Sequence, residues 1–192
     1  GKKISRIAKK HKAVFRANMH YVEKLWINRP STTKNPIYIH DISYAGETID
    51  EKISKIRAVM EQAGAQSYFL SALPDIAWLF NLRGDDIKCT PVFYGYAWIT
   101  EEKIYLFIHE NCLSATAIPY LKEHQVIVMN YEEIVPFLEK QRGTVMLDSR
   151  STNYLHGQTL FKCKIMDRPN PTESLKASRI VAMSFCEPRS CY

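Results

Sequence analysis

Apolar positions fall in two rhythms along this chain. Windows spaced by three and four residues alternate with short unbroken apolar runs, which predicts helices alternating with strands. Over 4–25, Ile4, Ile7, Ala8, Val14, Phe15, Tyr21, Val22 and Leu25 mark an amphipathic helix, broken once. The stretch 31–36, rich in Ser, Thr, Asn and Pro, reads as an extended linker. Ile49, Ile53, Ile56, Val59, Met60 and Ala63 then repeat at helical spacing, and Gly64 supplies the stop. The run 67–71 reads as a buried strand, after which Leu73-Pro74-Asp75 opens a helix through Asn81.

The aromatic-rich run 91–100 and the apolar run 103–109 flank a polar turn, Glu101-Glu102-Lys103, and predict an antiparallel hairpin. In its first strand Val92, Tyr94, Tyr96 and Trp98 alternate with Phe93, Gly95, Ala97 and Ile99. Both sets are apolar, so this strand is expected to be buried on two faces rather than to expose a stacking platform. Helices are expected at 114–124, 132–141 and 154–160, and strands at 125–129, 144–147 and 163–166. Arg168-Pro169-Asn170-Pro171 interrupts the pattern. Helical spacing resumes over 172–183, with Thr172 near the start and little within this chain for the helix to pack on. The expected fold is α/β, a mixed β-sheet flanked by helices. Three segments follow: 1–36 as a tail and linker, 37–168 as the main domain, and 169–192 as the start of something further.

Composition narrows the class. Among 192 residues, 46% are hydrophobic and 24% charged, the proportions of a globular protein. The net charge of +6 is concentrated early, in Lys2, Lys3, Arg6, Lys9, Lys10, Lys12 and Arg16. That run reads first as a solvated helix face, with an anionic membrane or nucleic acid as the alternative partner. The longest apolar runs fall well short of the roughly 20 residues that cross a bilayer, and no signal peptide is legible. The five cysteines are widely spaced and odd in number, which suits reduced thiols and a cytoplasmic location.

Catalytic chemistry finds no foothold in the residues themselves. The acidic pairs Asp85-Asp86, Glu101-Glu102 and Glu132-Glu133 have no histidine within helical or hairpin reach, so they read as turns and helix starts rather than as a metal cage. No serine lies in a nucleophile elbow, and no glycine-rich phosphate loop occurs. Catalytic and metal-ligating residues are therefore expected to number none.

The most distinctive segment is Leu73-Pro74-Asp75-Ile76-Ala77-Trp78-Leu79-Phe80-Asn81-Leu82-Arg83-Gly84-Asp85-Asp86-Ile87, with Pro91-Val92-Phe93-Tyr94-Gly95-Tyr96 after it. It resembles the middle, creatinase-type N-terminal domain of three-domain aminopeptidase P, the Xaa-Pro aminopeptidase family. The likeness extends to Trp26 with Arg29-Pro30, to the helix between Gly46 and Met60, and to Asn170-Pro171-Thr172-Glu173-Ser174-Leu175-Lys176-Ala177. The segment 184–192 departs from it. The resemblance implies a creatinase/prolidase N-terminal domain with a ribonuclease H-like sheet, although Asp75, Asp85 and Asp148 do not match the strand positions of carboxylate-metal nucleases. It implies a parent enzyme that removes the residue before proline from a peptide, working as a homodimer with two divalent metal ions, usually manganese. Those ions belong to a pita-bread catalytic domain after Ala177, and this chain holds no cofactor of its own. Its partners would be that domain and the first domain of the parent. Arg83, Asp85 and Asp86 lie in a loop that faces the active site in the wider family, so they are the expected substrate-binding residues. The alternative is that Arg83 pairs with Asp85 or Asp86 and shapes the turn. A non-enzymatic module that binds a protein partner is the competing function.

Overall fold

The computed structural model describes residues 2–14 and 25–184. The helix expected over 4–25 falls partly on 15–24, outside the described residues, as does 185–192, most of the segment that departs from the family pattern. In the described part α1 (Lys2–Lys10) closes in a turn at His11 and Lys12.

The main domain begins with β1 (Tyr38–Ile39) and a short α2 (Ile42–Ala45). Next comes α3 (Ile49–Ala63), started by a capping box in which Thr48 and Glu51 exchange side-chain and backbone hydrogen bonds, and ended by Gly64 at φ 67°. Then follow β2 (Ser67–Leu70), α4 (Leu73–Leu79) and β3 (Leu82–Arg83), the last pairing antiparallel with β1. The hairpin is β4 (Tyr96–Thr100) and β5 (Ile104–Ile108). The rest alternates: α5 (Ala117–Glu123), β6 (Val126–Asn130), α6 (Ile134–Lys140), β7 (Gly143–Leu147), α7 (Tyr154–Thr159), β8 (Cys163–Asp167) and α8 (Pro171–Ser184).

Six strands form one mixed sheet in the order β6-β5-β4-β2-β7-β8. The pairings make β2, β5, β6, β7 and β8 run in one direction, with β4 alone reversed between β5 and β2. One edge of the sheet therefore collects five carboxyl ends.

The two-residue period of the strands sorts their side chains onto opposite faces. Tyr68, Leu70, Ala97, Ile99, Leu106 and Met146 join a core covered by α3, α4 and α5 through Ile53, Ile56, Ile76, Leu79 and Leu121. Phe69, Trp98, Phe107, Val145 and Leu147 point the other way, into a second core with Ile134 and Leu138 of α6 and with Leu160. The expectation of a hairpin strand buried on both sides thus holds over 97–99. It fails before Tyr96, because Val92 and Phe93 both enter the first core and 91–95 is loop rather than strand. Gly84 permits that loop to close: a Cβ there would stand 2.9 Å from Phe93 Cβ.

A second correction concerns α8. Its start has much to pack on: Asn170 and Thr172 are buried, Leu175 rests on the first core, and the helix lies against α3 and α4.

Candidate functional site

The segment between α4 and β4 is held from its second residue. Asn81 sits at φ 49°, a left-handed conformation that asparagine tolerates better than most residues. Its amide Nδ2 donates to Glu47 O at 2.8 Å, its Oδ1 accepts from the buried ammonium of Lys52, and its carbonyl accepts from His40 N. Lys52 Nζ also donates to Trp78 O at 2.8 Å and lies 4.7 Å from the centre of the Trp78 ring.

Two residues on, Arg83 is half-buried. Its Nη1 donates to Ala77 O at 2.9 Å and Leu82 O at 2.8 Å, so the guanidinium is fixed by backbone carbonyls rather than by the neighbouring acids. Burial lowers its pKa. Asp86 is committed at both oxygens: Oδ1 accepts from Asn35 N at 3.1 Å and Oδ2 from Tyr94 N at 3.0 Å. Asp85 is exposed, and its carbonyl accepts from Asn35 Nδ2 at 2.6 Å. Arg83, Asp85 and Asp86 therefore share one loop, with Asp86 tying the 31–36 linker to the start of the hairpin.

The carboxyl edge of the sheet, where crevices of open α/β folds take their ligands, is filled by the chain itself. Asn170 N donates to Asp148 Oδ2 at 3.3 Å. Asn170 Nδ2 donates to Asp75 Oδ2 at 3.2 Å and Ser151 Oγ at 3.3 Å, while its Oδ1 accepts from Tyr68 OH at 2.9 Å. Lys176 Nζ pairs with Asp75 Oδ1. Arg150 grips Asp148 through Nε and Nη2 and reaches Glu173 Oε2 at 3.6 Å. The Arg150 hydrogen bond holds the Asp148 carboxyl below its usual range, and burial pushes the Tyr68 phenol up, with Asp75 adding to the effect. Sequence reasoning found the Asn170-Pro171-Thr172-Glu173 motif but not what it grips. On the opposite face of the same edge, the buried His156 ring stands 4.7 Å from Tyr96 and 5.8 Å from Phe69, centre to centre. Its Nδ1 has no hydrogen-bond partner among the described residues, and burial pushes its pKa down to about 4.

Among the described residues, no group of three or more His, Cys, Asp and Glu side chains converges as metal ligands do, and the twin carboxylates fit an ion poorly because Asp86 is spent on backbone amides. No helix among them is long and apolar enough to cross a membrane.

Comparison with known proteins matches residues 28–180 to the creatinase/prolidase N-terminal domain. A probable Xaa-Pro aminopeptidase P of Coprinopsis cinerea is 33% identical over 135 residues, which is 70% of this chain and 22% of that protein. Aminopeptidase P1 of Arabidopsis thaliana is 29% identical over 67% of this chain and 20% of its own length. The chain thus spans about a fifth of such relatives. Among solved structures, an X-prolyl aminopeptidase from Caenorhabditis elegans, described as a cytosolic enzyme with a di-nuclear active site, superposes with a TM-score of 0.81 at 22% identity. That superposition covers 92% of this chain and 31% of the other. It shows a shared fold.

Proposed function

The chain belongs to the creatinase/prolidase N-terminal domain family, and from that premise we propose that it is a non-catalytic domain of a metal-dependent Xaa-Pro aminopeptidase. In this reading it joins the domains on either side, takes part in a homodimer, and offers the Arg83–Asp86 loop to the substrate mouth. The working location is the cytoplasm. The two divalent ions, manganese by family habit, belong to the following domain. The observation that carries the proposal is the family match over 28–180, in a chain whose matched part spans about a fifth of its relatives.

Within the loop the three residues take different parts. In this reading the rest of the Arg83 guanidinium meets a peptide carbonyl or carboxylate while Nη1 stays anchored. Asp85 is the exposed carboxylate, suited to a peptide amino group. Asp86 acts through the loop it holds.

Two experiments test this. The chain alone, given manganese and a peptide with proline second, is expected to release no residue above a metal-free blank; clear turnover refutes the non-catalytic reading. In the longer enzyme, Arg83→Lys is expected to raise KM about tenfold, as the loss of a charge-assisted hydrogen bond does, with Tm little changed. A fall in Tm with unaltered kinetics rejects the substrate role.

A further inference from the structure

We propose that the buried polar joint around Asn170 is a positioning device that fixes the direction in which α8 leaves the domain, and with it the placement of whatever α8 carries. The second half of that statement rests on the reading that a further domain follows; the first half stands on the chain alone.

The chemistry of the joint favours orientation over adhesion. An apolar contact tolerates sliding, because dispersion and the hydrophobic effect are nearly non-directional. Hydrogen bonds are not. Here one side chain, Asn170, is 4% exposed and spends its carboxamide on three partners from three different elements: Tyr68 in β2, Asp75 in α4, and Ser151 in the loop after β7. A fourth bond, from its backbone amide to Asp148, fixes the peptide plane as well. Rotating the helix start would leave several of these buried groups unpaired, at a cost far above thermal energy for each.

Two ionic contacts farther along set the helix azimuth. Lys176, one and a half turns on, returns to the same Asp75, and Glu173 on the first turn faces Arg150. Asp75 is thus shared between the helix start and its second turn. Asp75 is 5% exposed, and both its carboxyl oxygens are met by these partners. The Lys176 ammonium also lies 5.9 Å from the Trp78 ring centre, on the indole already contacted by Lys52. That makes Trp78 a reporter of docking, while Trp98, buried in the other core, reports on the fold.

The experiment uses the full 192-residue chain and compares Asn170→Ala, Asp75→Asn and Lys176→Met with the parent by NMR. Expected in each variant are about tenfold faster amide exchange over 174–177, lowered order parameters there, and a shifted Trp78 indole signal. The Trp98 signal and the amides of β2 and β4 should stay in place. Lys176→Met lies at the surface of the joint, with 29% of its side chain exposed, and keeps the test valid if Asn170→Ala fails to fold. Unchanged exchange and order over 174–177 in Lys176→Met and Asp75→Asn overturn the proposal. So does loss of the Trp98 signal together with α8, since that makes the network part of the fold rather than a joint. Neither readout depends on peptidase activity, so failure here and failure of the manganese assay are separate results.

Discussion

Replacing Trp98 with alanine is expected to lower the unfolding free energy by about 3–5 kcal/mol, the range for deleting a large aromatic from a core. Trp98 is fully buried on the α6 face, where Phe69 lies 6.3 Å away and Phe137 meets it edge-on at 5.7 Å between centroids. Phe137 also contacts Phe107 at 4.9 Å and Tyr105 at 5.1 Å, so the cavity would open in the middle of a continuous aromatic layer. Those neighbours are held by separate elements and cannot all collapse into the gap. For a chain of this size the loss corresponds to a fall in Tm of roughly 10 °C, to be read by calorimetry or thermal circular dichroism. A shift of only a degree or two refutes the packing assigned to this face.

The second expected result concerns acid. Burial depresses the His156 pKa from its ordinary 6.5 to about 4 in the folded chain. Above pH 6.5 the ring is neutral folded and unfolded, and it costs nothing. As pH falls below 6.5, the unfolded state takes up a proton that the folded state refuses, and stability drains away until about pH 4, where the folded ring also protonates. At 1.36 kcal/mol per unit, the total loss attributable to this ring is about 3 kcal/mol. The test is the pH dependence of chemical denaturation in the parent and in His156→Phe, which keeps an aromatic ring between Phe69 and Tyr96 but cannot titrate. Between pH 6.5 and 4 the variant should lose less stability than the parent. Parallel curves would dispose of the assignment.

The two results differ in how far the sequence foretells them. Trp98 was legible as a buried residue because the apolar alternation of Tyr96, Ala97, Trp98 and Ile99 admits little else, and β4, β5 and the helices around them followed from the same periods. The alternation misled at Val92 and Phe93. There Gly84 approaches so closely that the chain runs as loop and both residues turn to one core. His156 carried no signal at all, since its neighbours Phe69 and Tyr96 come from strands far away in the chain. The same distance hid the joint: Tyr68 meets Asn170 across 102 positions and Asp75 meets Lys176 across 101. Local spacing shows which face of an element is apolar, but not which polar groups from remote elements converge. At the Arg83 loop the residue types were visible in advance, while the commitment of Arg83 to the Ala77 and Leu82 carbonyls depended on the turn that follows α4.

The sheet that separates the two cores also separates the packing consequences of a substitution in either. Trp98 and Ile99 are covalent neighbours, yet one is surrounded by Phe69, Phe107 and Phe137, and the other by residues of the opposite layer. A size change at one must be accommodated among residues scattered along the chain on its own side, and the adjacent position takes no part. Each layer can therefore exchange its side chains at its own pace. A substitution on the α6 side is met first by its own layer rather than by the one on which α4, the Arg83 loop and the seat of α8 are built.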